Sequence, residues 1–218
     1  MKEEKIIKDI MAYLTKELHI DLQISPIKIW LEGDAIVMEG QLDSIAYKKK
    51  ALLKAISIPG TSGVIDRLRV RPSKEMSDKE ITNHLSDALT EESSIDESSI
   101  NIEINNGVVD LEGTVPSLSH KRLAGVLAWW VPGSTEIINS LDVQPPEEDS
   151  DDEVTDAIKI VFEKDRLVDS SSILVATKGW VVTLSGTVND DIERKAAEND
   201  AWYVWGVDGV VNNIKVIR

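Results

Sequence analysis

The stretch that decides the fold opens with Gly186-Thr187-Val188 and closes with Gly206-Val207-Asp208-Gly209-Val210-Val211-Asn212-Asn213-Ile214-Lys215-Val216. Its two framing glycines stand 20 residues apart, and Ala197 and Ala201 lie between them. Stepping back 73 residues lands on Gly113, Gly133 and Val143, and a second step lands on Gly40, Gly60 and Val70. Ala51, Ala124 and Ala197 keep the same register. So do Ala55, Ala128 and Ala201, and the basic residues Lys48, Lys121 and Arg194. A gap-free window with this many registered matches is the signature of a tandem repeat. The chain is three copies of one unit.

Each unit reads as helix, two strands, helix, strand. The first helix carries apolar residues every fourth position: Ile6, Ile10, Leu14, then Ile81, Leu85, Leu89, then Val154, Ile158, Phe162. Ser77 and Glu80 form a capping-box pattern at one of its starts. Ile27, Ile29 and Leu31 alternate as one face of a strand, with Ile100, Ile102, Ile104 and Ile173, Val175, Thr177 as counterparts. Turns at Glu32-Gly33-Asp34, Asn105-Asn106-Gly107 and Lys178-Gly179 lead into a second strand, which turns Ile36 and Met38, Val109 and Leu111, and Val182 and Leu184 inward. The second helix is expected to start near Asp43, Ser117 and Asn189, all good N-cap types, and to end on Gly60, Gly133 and Gly206 in left-handed C′ geometry. A third strand, parallel to the second, closes the unit with Leu68 and Val70, Leu141 and Val143, or Ile214 and Val216. Two residues are extra in the first unit around Leu22–Pro26. Prolines at Pro72, Pro145 and Pro146 mark the joints, giving modules 1–72, 73–144 and 145–218. The fold class is α+β: three tandem αββαβ modules, each a three-stranded mixed sheet with two helices on one face.

This element order, the glycine spacing and the closing Gly-Val-x-x-Val-x-Asn-x-Ile-x-Val pattern resemble the BON domain, a module named for bacterial osmotically inducible and nodulation proteins. The third unit carries the pattern most fully. The second has Ser134 and Glu136 where the third has Val207 and Gly209, and the first reads Gly60-Thr61-Ser62-Gly63-Val64-Ile65. The resemblance implies a non-catalytic role in osmotic stress, with phospholipid or envelope attachment among the roles of such modules.

Composition narrows the function. A net charge of −15 opposes general nucleic-acid binding, and the absence of Cys removes disulfides and thiolate chemistry. No apolar stretch is long enough to span a bilayer, and Met1-Lys2-Glu3-Glu4-Lys5 opens without an apolar signal core, so a cytoplasmic location is expected. Charge is uneven: residues 1–72 carry a net of +2, residues 73–144 a net of −9 and residues 145–218 a net of −8.

Catalytic patterns are missing. His19, His84 and His120 fall outside any metal-ligand spacing, and neither a phosphate-binding glycine loop nor a nucleophile elbow occurs. No cofactor and no enzymatic activity are expected. The run Glu147-Glu148-Asp149-Ser150-Asp151-Asp152-Glu153 reads as a solvated linker whose last acids favour the helix that follows. Two clusters are candidates for binding. Lys48, Lys49, Lys50 and Lys54, with Arg67, Arg69 and Arg71, could meet a protein partner or an anionic surface, or could simply be solvated. Trp129, Trp130, Trp202 and Trp205 could form an exposed aromatic contact, against which stands packing between repeats. The expected function is therefore a non-enzymatic, stress-related module that binds a protein or assembly partner. The alternative is a peripheral binder of phospholipid surfaces.

Overall fold

A computed structural model describes residues 2–217. The first module runs α1 (Lys2–Lys16), β1 (Ile27–Glu32), β2 (Ala35–Leu42), α2 (Ile45–Ile56) and β3 (Gly63–Val70). The second runs α3 (Asp78–Glu91), β4 (Ile100–Asn105), β5 (Val108–Val115), α4 (Leu118–Trp130) and β6 (Glu136–Val143). The third runs α5 (Asp151–Lys164), β7 (Ile173–Lys178), β8 (Val181–Val188), α6 (Asp191–Tyr203) and β9 (Gly209–Val216). Each module is a three-stranded mixed sheet in sequential strand order, with an antiparallel hairpin followed by a parallel third strand. The chain divides into two compact units, residues 1–71 and residues 72–218, and the second holds two modules packed on each other.

Strand register repeats without error. Ile27 pairs with Gly40, Ile100 with Gly113 and Ile173 with Gly186; across the parallel ladder the same glycines pair with Leu68, Leu141 and Ile214. These glycines have φ of +151°, +127° and +126°, in the region that disfavours a side chain. Space forbids one as well. A Cβ would lie 2.5 Å from the Pro26 carbonyl oxygen in the first module, and 2.1 Å from those of Ser99 and Ser172 in the others.

The inward positions form the cores. Ile10, Leu14, Ile36, Met38 and Leu68 are buried in the first module, with Ile81, Leu85, Val109, Leu111 and Leu141 in the second and Val154, Ile158, Val182, Leu184 and Ile214 in the third. Both helices of a module cover the same sheet face, and the alanine pairs of α2, α4 and α6 are fully buried where helix meets sheet.

Two local expectations need correction. The second helices are capped by Ser44, Ser117 and Asp190, each accepting a backbone N–H three residues on, so Asp43 and Asn189 stand one place too early. Gly60, Gly133 and Gly206 are not C′ residues. They follow the helix ends by three or four residues, in the turn that launches the third strand. Gly60 and Gly206 have φ of +81° and +92°, but Gly133 is not left-handed. It is glycine because a Cβ there would lie 2.7 Å from that of Met76 and 2.8 Å from the Ile81 side chain. The same residue type thus answers two different constraints at one repeat position.

One device was missed at the hairpins. The Asp78 carboxylate accepts the backbone N–H groups of Asn106 and Gly107, both at 2.9 Å. Asp151 does the same for Gly179 and Trp180, at 2.8 and 3.0 Å. Each first-helix carboxylate therefore holds the turn of its own hairpin, where Asn106 and Trp180 sit at positive φ. The signal was present as Ser-Asp-x-Glu at 77–80 and 150–153.

Gly113→Ala is expected to destabilise its unit by about 3 kcal/mol, combining backbone strain with the clash against Ser99. Gly33→Ala, at φ +63° with nothing within 4 Å, should cost only about 1 kcal/mol. Urea unfolding followed by far-UV circular dichroism separates the two.

Candidate functional site

Sheet register assigns the residues of each outer sheet face, the one turned away from the helices. In the first module these are Lys28, Trp30 and Glu32 from β1, Val37, Glu39 and Gln41 from β2, and Ile65, Arg67 and Arg69 from β3. Lys28, Glu39 and Arg67 form one row, and Trp30, Val37 and Ile65 the next. Lys28 pairs with Glu39 at 3.4 Å, and Arg67 pairs with Glu32 at 3.6 Å while lying 5.6 Å from the Trp30 ring centroid. The corresponding face of the second module carries Glu103, Asp110, Glu112 and Asp142. That of the third carries Leu174 and Val211, with Lys178 and Lys215 as its charged residues. One scaffold presents three chemistries.

The basic cluster does not form a single surface. Lys48 is 3% exposed and faces the core. Its ammonium lies 2.9 Å from Asp66 and donates to the Leu68 carbonyl at 2.9 Å, so it is removed from the candidate contacts. Burial pulls its pKa below the ordinary lysine range, although Asp66 opposes this. Lys49, Lys50 and Lys54 lie half-buried along α2, with Lys54 5.7 Å from the Tyr13 ring centroid. Arg69 donates to the Leu68 carbonyl at 2.9 Å. Arg71 ties Asp43 at 3.0 Å to the Ile24 carbonyl and the Ser25 hydroxyl. Of the three arginines, Arg67 shares the outer-face row with Lys28, and Arg71 braces loops.

Lys48 has a physical reason to be inside. Position 66 is Asp in the first module, and its repeat equivalents are Asn139 and Asn212. Asn139 donates to the Lys121 carbonyl of α4 at 2.7 Å, and Asn212 donates to the Arg194 carbonyl of α6 at 3.3 Å. In all three modules the side-chain oxygen accepts the backbone N–H two residues on, at Leu68, Leu141 and Ile214. The residue therefore ties the third strand to the second helix. A carboxylate cannot donate to a helix carbonyl, and in the first module the Lys48 ammonium supplies the missing donors.

Trp129, Trp130 and Trp205 are placed where the second and third modules meet, and Trp202 is buried, at 1% exposed. Trp129 stacks on Tyr203 with centroids 5.6 Å apart and planes at 13°, and Trp130 donates its indole N–H to Asp200 at 2.9 Å. Trp205 alone of the four keeps a large exposed area, at 50%, with Lys121 and Arg122 against its ring. An exposed aromatic patch is thus replaced by an intermodule joint.

Arg122, which sequence reasoning passed over, is the centre of that joint. It is 0% exposed, donates Nε to the Trp205 carbonyl at 3.1 Å and pairs with Asp149. The acidic run is solvent-exposed from Glu147 to Ser150 and its last three acids stand in the first turn of α5, as expected, and it also makes contacts. Glu147 accepts the Leu118 N–H at the start of α4, Asp149 pairs with Arg122, and Ser150 caps α5. Residues 122–128 of α4 are buried without a break, because one side lies on its own sheet and the other against α5 and α6. The uncharged run Leu123–Trp130 was the available sign of a helix covered all round.

His19, His84 and His120 fall on unrelated elements, and His120 shares a hydrogen bond with the Ser117 cap. Among the described residues no group of three or more His, Cys, Asp or Glu could hold a metal, and no helix is long and apolar enough to cross a membrane.

The BON domain family profile matches residues 77–145 and 150–218, the whole of the second and third modules. The chain belongs to the BON domain family. The profile does not reach the first module, whose sheet nevertheless has the BON order and register seen in the other two. A BON-family relative is "Osmotically-inducible protein Y" of Escherichia coli strain K12, 33% identical over 146 residues, covering 64% of this chain and 73% of the relative. Among solved structures, the C-terminal domain of CdsD, a type III secretion protein of Chlamydia trachomatis, aligns over 98% of both chains at 14% identity and a TM-score of 0.28. A likeness at that level carries no argument about the BON modules here.

Lys48→Met is expected to destabilise the first unit by about 2 kcal/mol, below the roughly 3–5 of a fully buried pair because Asp66 keeps some water contact. Adding Asp66→Asn, which restores the bonding pattern of the other modules, should recover more than half of the loss. A double-mutant cycle by thermal unfolding measures the coupling.

Proposed function

We propose that the chain is a non-enzymatic, stress-related interaction protein built from three BON copies, the first diverged beyond the family profile, and that it works by binding a protein partner. Support for a third copy comes from positions that recur by physical role. Gly40, Gly113 and Gly186 meet the carbonyl at the same repeat position, and residues 66, 139 and 212 each tie the third strand to the second helix, Asp66 through the Lys48 ammonium. Support for a stress role comes from the relative whose name records osmotic induction.

The observation that carries the binding reading is the division between what recurs and what varies. The recurring residues build the scaffold: the strand glycines, the helix alanines and the strand-to-helix tie. The varying residues lie on the outer sheet faces, which are of mixed charge with a tryptophan, acidic, and apolar or neutral with two lysines in turn. Repeat proteins that bind partners differ in this way, while an enzyme needs a fixed set of reactive groups in one place. The phospholipid-surface alternative loses much of its support, since Lys48 and Trp202 are buried and Trp129 and Trp130 are engaged between modules.

The test is survival under osmotic upshift in the host lacking this gene, complemented by the full chain or by a Trp30→Ala/Arg67→Glu variant. The expected result is sensitivity in the deletion, rescue by the chain, and weakened rescue by the variant with an unchanged melting curve. Anionic vesicles should fail to sediment the protein at physiological salt. A deletion strain that grows normally at high osmolarity removes the stress reading, and vesicle binding lost on raising salt restores the lipid one.

A further inference from the structure

Asp200 lies on the side of α6 that faces the second module and is 2% exposed. Trp130 of α4 donates to its Oδ1 at 2.9 Å, while Oδ2 is enclosed and has no hydrogen-bond partner. The group beside it is another carboxyl, Asp165 at the C-terminal cap of α5, within hydrogen-bonding reach. Several charged groups on the surrounding helices are engaged elsewhere. On α4, Lys121 lies over Trp205 and Arg122 pairs with Asp149; on α5, Lys164 pairs with Glu92. On α6 itself Glu198 accepts from Asn212 of β9, and the Tyr203 ring is stacked under Trp129. Among the described residues no cation pairs with Asp200.

A carboxylate enclosed without a cation is costly to ionise, and a proton on Asp200 converts its orphan Oδ2 into a donor. We propose that Asp200 carries a proton when the second and third modules are docked and acts as a pH-operated latch between them, shut when the proton is bound and loosened when it leaves. The occupant of the latch is a proton, and its consequence is fuller access to Trp129, Trp130 and Tyr203, which are half-buried in the closed joint.

Burial is the largest cause acting on Asp200 and raises its pKa from 3.8 to about 8; the Trp130 hydrogen bond opposes it and Asp165 adds to it. The same burial, with the Asp200 charge, pushes Tyr203 up to about 12. A carboxyl whose folded pKa is raised contributes stability that is complete below its ordinary pKa and is lost as pH rises through the folded one. Docking of the two modules should therefore weaken about tenfold per pH unit from about pH 4 to about pH 8 and level off above, one proton being released.

The experiment uses the full chain with carbon-13 aspartate, titrated by NMR from about pH 5 to pH 10, together with exchange of the Trp130 indole N–H corrected for intrinsic pH dependence. The expected result is a midpoint near 8 at Asp200 and indole protection that falls with pH. Asp200→Asn keeps an acceptor for Trp130 and offers an amide donor to Asp165, so its protection should be flat. Trp130→Phe should move the midpoint upward, because a bond favouring the ionised form is gone. An Asp200 midpoint in the ordinary carboxylate range overturns the latch, and so does an Asp200→Asn protein whose protection still falls with pH. Titration of the wild-type chain decides the matter even if neither variant folds.

Discussion

The close approach at Gly40, Gly113 and Gly186 governs everything built around it. At each, the second strand passes so near the carbonyl preceding the first strand that no side chain fits. This contact fixes the antiparallel register at its far end, since the glycine must sit opposite the first residue of the first strand. Because strand faces alternate, a fixed register also decides which side chains meet the helices. Leu68, Leu141 and Ile214, paired with the same glycines across the parallel ladder, then point inward, and the second helix is drawn onto them. A position with no side chain thus sets the direction of every side chain nearby.

On that frame, the polar residues divide by the job they do for the chain. Asp78 and Asp151 hold turns; Asp66, Asn139 and Asn212 hold helices to strands; Arg122 and the 147–153 run hold two modules together. Much of what looks like surface charge in the sequence is internal bracing. The acidic excess of the last two modules is partly consumed in this way, through carboxylates that accept backbone N–H groups.

The repeat, the element order and the core were legible because each rests on local spacing: 73 residues between copies, fourth-residue apolar positions in helices, alternation in strands. What sequence reading missed depends on atoms far apart in the chain. Lys48 reads as a surface cation because its neighbours Lys49 and Lys50 are polar, and the Asp66 side chain on the helix-facing side of β3 draws it inside. The tryptophans could not be assigned from their own helices, since Trp129 and Trp130 are answered by Tyr203 and Asp200 of the following copy. Gly133 kept its place in the repeat while changing its reason, from left-handed backbone to contact with Met76 and Ile81. Periodicity finds positions, and the constraint acting at each can change from copy to copy.

The continuous burial of α4 bears on how such a chain can be inherited. Its second helix surface is completed by α5 and α6, so a gene fragment ending after the second module would encode an apolar helix with nothing to cover it. Duplication or shuffling at the joint near Pro145 would thus be penalised, whereas a cut near Pro72 leaves a compact unit on either side. The length of DNA able to move between genomes and still encode a working product is accordingly one module on one side of that cut and an undivided pair on the other.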